Sequence, residues 1–193
     1  DKNIKSKVLK NRLFLSESAN NSGEGQMGEI YAYFKNIEFW NLLNNLDMHV
    51  LAEKVSAVGG SNNRLGAKLS KLIRVCDTQI DSTSIREIET GEFQFPEDLS
   101  GESQEKIITQ NKYRVKTVHT VYDGDIAVGT EDFDLNEESQ GTKIMYAIGG
   151  IILKLLETGG IICVDEFNNS LHPKLCRFLV ELFHNPHSNP NHA

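Results

Sequence analysis

The sequence has 193 residues, of which 39% are hydrophobic and 24% charged, and its formal net charge is −7. That length and hydrophobic content are enough for one domain with a core, or for one domain with a smaller subdomain. The acidic balance argues against a broad basic face for nucleic acid, although it does not exclude a local basic patch.

The cysteine pattern bears on the cellular compartment. Cys76, Cys163 and Cys176 are odd in number and far apart, and no C-x-x-C motif occurs. This favours a reduced, intracellular protein over a disulfide scaffold. Cys163 lies in an apolar run, so we expect it to be a small buried residue.

The start of the chain is polar, and the most apolar stretch, residues 144–164, is broken by charges and glycine pairs. We therefore expect a cytoplasmic protein without a membrane span.

The first part of the chain reads as mostly helical. Short helical and irregular pieces are expected over residues 1–63, with a strand at 37–40. A clear amphipathic helix follows, because its apolar residues recur on one helical face: Leu65, Leu69, Leu72, Ile73 and Cys76. Residues 82–90 resemble a strand. The acidic stretch Glu92–Glu105 lacks periodicity and predicts a mobile surface loop.

From residue 112 onward the pattern changes to a hairpin and then to helix, strand and helix. Asp123-Gly124 supplies a tight hairpin turn. The helix that follows is apolar almost all round, as for a helix buried on two sides, and Gly149-Gly150 within it indicates close approach by a neighbour. Ile161–Val164 is typical of a buried parallel strand, and Pro173 opens the last helix. This order indicates an α/β sheet.

Two adjacent carboxylates, Asp165 and Glu166, follow the apolar strand directly. The carboxyl ends of strands are where open α/β folds bind ligands. In this Walker B pattern the first carboxylate holds Mg²⁺, usually through water, and the second orients and polarises the attacking water. The alternative is a core strand that ends in solvated acids. No phosphate-cradling G-x-x-x-x-G-K-[ST] loop occurs in the chain.

A second candidate site, "NEESQGTK", lies just before the long apolar helix. Gly141 allows backbone N–H groups to approach an anion, Ser139 offers a hydroxyl, and the helix N-terminus adds a positive dipole. With Gln140 and Thr142, this combination fits a γ-phosphate. The alternative is an ordinary helix cap formed by Ser139.

Together the two motifs resemble those of ABC-type ATPases. "ESQGT" resembles the signature motif, "IICVDE" the Walker B strand, and "NNSLHP" the D-loop that follows it. His172 stands where many ABC proteins have Asp. That departure resembles the DE-x-x-x-SLHP form of AAA-type ATP-binding proteins from bacterial abortive-infection and phage-defence systems, which are ABC/SMC-like. The resemblance is strong over residues 112–191 and weaker over 11–39.

The resemblance implies an α/β fold with two parts. Residues 112–193 would form the C-terminal part of an ABC-like nucleotide-binding domain with a partial sheet. Residues 1–111 would form a helical subdomain and connecting segments, so that a helical and β-hairpin subdomain accompanies the sheet. The Walker A loop would lie upstream of this sequence and the switch histidine downstream, so we expect this stretch alone not to hydrolyse ATP.

The resemblance also implies ATP and Mg²⁺ as cofactors. Asp165 would serve the metal and Glu166 would be catalytic. Nucleotide contacts would come from the signature and D-loop residues Ser139, Gln140, Gly141, Thr142 and His172. The family works as a head-to-tail homodimer, in which each ATP lies between Walker A and B of one protomer and the signature motif of the other.

The function implied is that of a regulatory ATPase in antiphage defence, whose ATP-driven dimerisation controls an effector such as a nuclease. One alternative is a nucleotide- or protein-binding module without turnover. Another is a metal-dependent nuclease, in which Asp165 joins the acids Glu131, Asp132, Asp134, Glu137 and Glu138, although such runs are usually solvated turns. A metal site at His184, His187 and His192 is disfavoured by the Pro and Asn residues around them.

Overall fold

A computed structural model describes residues 26–43, 45–77, 79–96, 98–168 and 171–193, so the expectations for residues 1–25 lie outside the described residues. The fold is mixed α/β, as predicted. In chain order its elements are α1 (Gln26–Lys35), β1 (Glu38–Asn41), α2 (Asn45–Ser61), α3 (Asn63–Cys76), β2 (Ile80–Glu87), α4 (Gly101–Gln110), β3 (Tyr113–Asp123), β4 (Ile126–Asp134), α5 (Gln140–Thr158), β5 (Ile162–Asp165) and α6 (Pro173–His184). Short 3₁₀ turns occupy Thr90–Glu92 and Leu135–Glu137.

The strands form two small sheets. β1 and β5 pair in parallel, with a register that runs from Glu38 opposite Ile162 to Asn41 opposite Asp165. β2, β3 and β4 form an antiparallel sheet with β3 in the middle. Gly124 adopts a φ of 62° in the turn between β3 and β4, and the predicted hairpin is confirmed.

The parallel strand differs from the prediction in its burial. Cys163 is exposed, so the expectation of a buried cysteine is wrong. Its register partner Phe39 is also 69% exposed. Alternate residues of a strand point to opposite faces, and only the face opposite these two residues packs on the core of the described chain.

The core is built around α5. Its buried residues include Ile144, Tyr146, Ile148, Ile151 and Ile152, and both α2 and α3 pack against it. A Cβ atom at Gly149 would lie 2.6 Å from Leu72 Cδ2, and one at Gly150 would lie 2.2 Å from Val55 Cγ1. The close approach predicted at this glycine pair is therefore confirmed. None of the described helices is long and apolar enough to cross a membrane.

The loop predicted over Glu92–Glu105 is only partly a loop, because α4 begins at Gly101. Ser100 caps this helix by accepting the N–H of Ser103 over 3.3 Å. Lys106 pairs with Glu102 one turn earlier, at 2.8 Å. The cap and the i,i+4 pair support a helix that has no buried residue, so apolar periodicity could not reveal it.

Candidate functional site

Asp165 lies at the carboxyl end of β5, where the parallel pair stops. Asn41 Nδ2 donates to Asp165 Oδ2 over 3.3 Å, and the backbone N–H of Glu166 donates to Asp165 Oδ1 over 3.1 Å. The N–H of Leu42 also donates to the carbonyl oxygen of Asp165. The end of β1 therefore fixes the direction of the Asp165 carboxylate, which is exposed. Asn41 was not singled out from the sequence, although it directly follows the strand predicted at 37–40.

Glu166 has an unusual backbone conformation. Its φ is 54°, in the left-handed region that non-glycine residues rarely adopt, at a cost of roughly 1–2 kcal/mol. The turn that follows β5 begins at this residue, and its side chain is exposed. Backbone strain of this kind concentrates at functional sites, which supports a chemical role for the Glu166 carboxylate.

Ser139 is the N-cap of α5, as in the alternative that the sequence left open. Its Oγ accepts the N–H of Thr142 over 3.1 Å and lies 2.8 Å from Thr142 Oγ1. The N–H groups of Gln140 and Gly141 find no acceptor among the described residues. A helix N-terminus with unsatisfied N–H groups and a positive dipole end favours an anion.

Asp77 also contributes to this turn and was not identified from the sequence. Thr142 Oγ1 donates to Asp77 Oδ2 over 2.8 Å. Because the single hydroxyl hydrogen of Thr142 is used in that bond, Ser139 donates its own hydrogen to Thr142 Oγ1. Asp77 follows α3 directly, and no local sequence signal connects it to a turn so far along the chain.

His172 lies close to residues 139–142 at the start of α5, which together form the Ser139 turn. A cavity of about 220 Å³ is lined by Asp77, Ser139, Gly141, Thr142 and His172, together with the apolar residues Ile73, Met145 and Leu175 and with Cys76. His172 is the N-cap of α6, where its Nδ1 accepts the N–H of Lys174 over 3.2 Å. Of the predicted nucleotide-binding residues, four thus line one cavity. Gln140 is exposed beside it and does not line it.

The two predicted carboxylates do not line that cavity. Asp165 lines a separate one of about 460 Å³, with Phe39, Trp40, Asn41, Cys163 and Val164. Glu166 lines neither of these two cavities. The structure therefore groups the signature residues with His172 and keeps the Asp165 carboxylate apart from them.

Comparison with known proteins identifies the class to which this fold belongs. A family model described as "AAA domain, putative AbiEii toxin, Type IV TA system" matches residues 45–193. The chain belongs to this AAA-domain family. The matched range includes the Ser139 turn, Asp165, Glu166 and His172, and membership places the chain in the nucleotide-binding, ATPase-type class. No curated protein and no solved structure gives a significant match.

Asp165 is the predicted ligand for Mg²⁺ in this AAA domain. Mg²⁺ is bound by one or two carboxylates, with waters and substrate phosphates in its other positions. Asp165 fits this requirement, because its carboxylate is exposed and, among the described residues, accepts only a long hydrogen bond from the Asn41 amide and one from the Glu166 backbone N–H. Within the described ranges, no three His, Cys, Asp or Glu side chains are placed to hold a metal ion together.

Most of the acids that a nuclease centre would require in this AAA domain are engaged elsewhere. Glu137 accepts the N–H of Asp134 over 2.7 Å and closes a capping turn. Asp132 pairs with Lys116 at 3.6 Å within the antiparallel sheet, whereas Asp165 belongs to the parallel pair. The nuclease alternative therefore has no converging set of carboxylates among the described residues.

Proposed function

We propose that this AAA domain binds Mg-ATP between two copies of the protein and hydrolyses it. Asp165 serves the metal and Glu166 orients the attacking water. Ser139 and the free N–H groups of Gln140 and Gly141 contact the γ-phosphate of the nucleotide held by the other copy, with Thr142 and His172 beside them. The dimerisation that ATP drives would regulate an effector, such as a nuclease, in defence against phage.

The observation that carries this proposal is the separation of the two halves of the site within one chain. Ser139, Gly141, Thr142 and His172 line one cavity, whereas Asp165 lines another, and the two cavities have no lining residue in common. A site divided in this way within one chain supports contact of its two halves with two different nucleotides.

The anion-binding character of the Ser139 turn also supports the proposal. Free N–H groups at a helix start stabilise an anion only when it lies directly against them. Ser139 and Gln140 are exposed, so a nucleotide held by a second copy could reach them. The strained backbone of Glu166 at the end of β5 supports a catalytic carboxylate at that position.

Substitution of Glu166 by Gln in the full-length protein tests hydrolysis. The amide keeps the size of the side chain but cannot polarise water as a carboxylate does, so the variant should bind ATP, release little phosphate and accumulate as a dimer. Phosphate release and light scattering with Mg-ATP provide the measurements. Asp165→Ala should instead weaken the Mg²⁺ dependence of ATP binding. Turnover of Glu166→Gln at the wild-type rate would show that the catalytic assignment is wrong.

Mixed dimers test whether the turn acts across the dimer. One subunit carries Gly141→Arg, which blocks the Ser139 turn, and the other carries Glu166→Gln. If the turn acts on its partner's nucleotide, both lesions fall in one composite site and about half of the activity remains. If it acts on its own nucleotide, each site carries one lesion and almost no activity remains, which would exclude the composite arrangement.

A further inference from the structure

The residue before the Ser139 turn has an anchor of its own in the antiparallel sheet. Glu138 Oε1 accepts hydrogen bonds from Thr117 Oγ1 and from His119 Nε2, the latter at 2.7 Å. Both donors belong to β3. The side chains of Glu138 and His119 are only 10% and 19% exposed, and Thr117 is fully buried. This cluster of Glu138, Thr117 and His119 plays no part in the chemistry proposed above.

The chemistry of the cluster leaves Glu138 little freedom. An ionised carboxylate can only accept hydrogen bonds, so His119 must carry a hydrogen on Nε2. The His119 ring is itself held edge-on against Phe133, with ring centroids 5.0 Å apart at an interplanar angle of 78°. A buried carboxylate that lost these donors would pay a large desolvation cost, so the side chain of Glu138 is held in one direction.

The backbone on both sides of Glu138 is held as well. Its N–H donates to the carbonyl oxygen of Leu135 over 3.2 Å and so closes the 3₁₀ turn before it. Ser139 follows directly, with the extended φ of −60° and ψ of 153° that an N-cap requires. On the far side of the turn, Thr142 is tied to Asp77. The turn is therefore fixed from β3 on one side and from the end of α3 on the other.

We propose that Glu138 is a positioning residue for the nucleotide contact of the Ser139 turn. Through Thr117 and His119, β3 sets the place of the Ser139 hydroxyl and of the N–H groups of Gln140 and Gly141. Glu138 touches no nucleotide itself. This inference rests on the proposed function, in which the turn receives the γ-phosphate of the partner's ATP.

The test uses the full-length protein with Glu166→Gln as background, so that ATP is not consumed. Into it are placed Glu138→Ala, which removes the acceptor, and His119→Phe, which removes a donor and keeps the ring against Phe133. Glu138→Gln is the conservative variant, since its amide oxygen still accepts from Thr117 and His119. Glu131→Gln is the matched control, because Glu131 is an exposed acid on β4 directly opposite His119.

Two quantities separate positioning from general damage. Light scattering gives the Mg-ATP concentration at half-maximal dimerisation, and a titration below the dimerising protein concentration gives ATP affinity of the monomer. Glu138→Ala and His119→Phe should raise the half-maximal Mg-ATP concentration by about tenfold or more, as expected when hydrogen bonds to a charged phosphate are misplaced. Both variants should leave the ATP affinity of the monomer within about twofold of the background protein. Glu138→Gln should recover most of the loss, and Glu131→Gln should match the background protein.

Three results would overturn the inference. Dimerisation of Glu138→Ala and His119→Phe at the background ATP concentration would show that the cluster does not position the turn, and the proposed function would stand. An equal loss of monomer affinity would indicate structural damage instead. No ATP-driven dimerisation in the background protein would overturn the proposed function and this inference with it. If Glu138→Ala unfolds at the assay temperature, His119→Phe decides.

Discussion

The hydroxyl of Thr142 donates to Asp77 Oδ2 over 2.8 Å, although the two residues lie 65 positions apart in the chain. Thr142 is buried and is the third residue of α5, while Asp77 is the C-cap residue that follows α3. This one contact joins the start of one core helix to the end of another. It ties the exposed Ser139 turn to the buried core helices.

We expect Asp77→Ala to lower the free energy of unfolding by about 1–2 kcal/mol, because it leaves the Thr142 hydroxyl without its acceptor. Asp77→Asn keeps an acceptor oxygen and should lose less than about 1 kcal/mol. Urea unfolding followed by circular dichroism measures both. Equal midpoints for Asp77→Ala and the wild-type protein would show that the contact carries no stability.

Gly150→Ala should be strongly destabilising, because its Cβ would lie 2.2 Å from Val55 Cγ1 and 3.1 Å from Val55 Cβ. Overpacking of this kind costs about 1–3 kcal/mol, which outweighs the gain of about 1 kcal/mol in helix propensity. Thermal unfolding should show the loss. A second substitution, Val55→Ala, should make the Gly150→Ala change less costly than it is in the wild-type background.

Gly101→Ala is the matched control for that experiment. Gly101 is also helical, and a Cβ there would meet nothing within 4 Å. Its melting temperature should equal or exceed that of the wild-type protein. A similar loss at both glycines would mean that the contact with Val55 is not the cause.

Glu53 should make stability depend on pH. Burial raises its pKa from 4.5 to about 7, and a backbone hydrogen bond from Tyr113 opposes only part of that rise. The folded state therefore binds this proton more tightly than the unfolded state does. The resulting stability is fully present below about pH 4.5, is lost as the pH rises towards 7, and changes little above that.

Glu53→Gln should remove this dependence. At pH 8 the variant should exceed the wild-type protein by about 1–2 kcal/mol, a figure reduced because the side chain keeps contact with solvent. At pH 4 the two should be nearly equal. Urea midpoints at several pH values provide the measurement, with Glu131→Gln as the exposed control. A wild-type advantage at pH 8 would contradict the assignment.

The cysteines should differ in reactivity. Burial, and to a lesser degree the nearby Asp77, raises the pKa of Cys76 to about 11, so at pH 8 only about one thiol in a thousand is ionised. Cys163 is exposed. Iodoacetamide should therefore modify Cys163 long before Cys76, as read by mass spectrometry of peptides. In urea the two should react at similar rates, and faster labelling of Cys76 in the native protein would refute the expectation.

Features with local signals were predictable from the sequence. Apolar periodicity predicts α3, and the N-cap Ser139 and the N1 residue Pro173 predict the starts of α5 and α6, because caps and periodicity depend on neighbours in the chain. The exposure of Cys163 was not predictable, because an apolar strand does not reveal which of its faces is covered. The helix α4 was missed because nothing on it is buried.

The candidate site likewise combines features that have a local sequence signal with features that have none. Both motifs were visible as short patterns, since each is carried by a single turn. Their distribution between two cavities depends on the tertiary fold, which motif spacing does not express. The anchors Asp77, Thr117 and His119 reach the Ser139 turn from other elements, so no local pattern marks them.

The glycine pair in α5 has a mechanical consequence. Leu72 of α3 and Val55 of α2 occupy the positions where side chains of α5 would otherwise begin. Close packing of this kind opposes sliding or rotation of the three helices past one another, and α5 itself is about 28 Å long. A displacement of the start of α5 would therefore be transmitted towards Thr158 at its other end, and α2 and α3 would move with it.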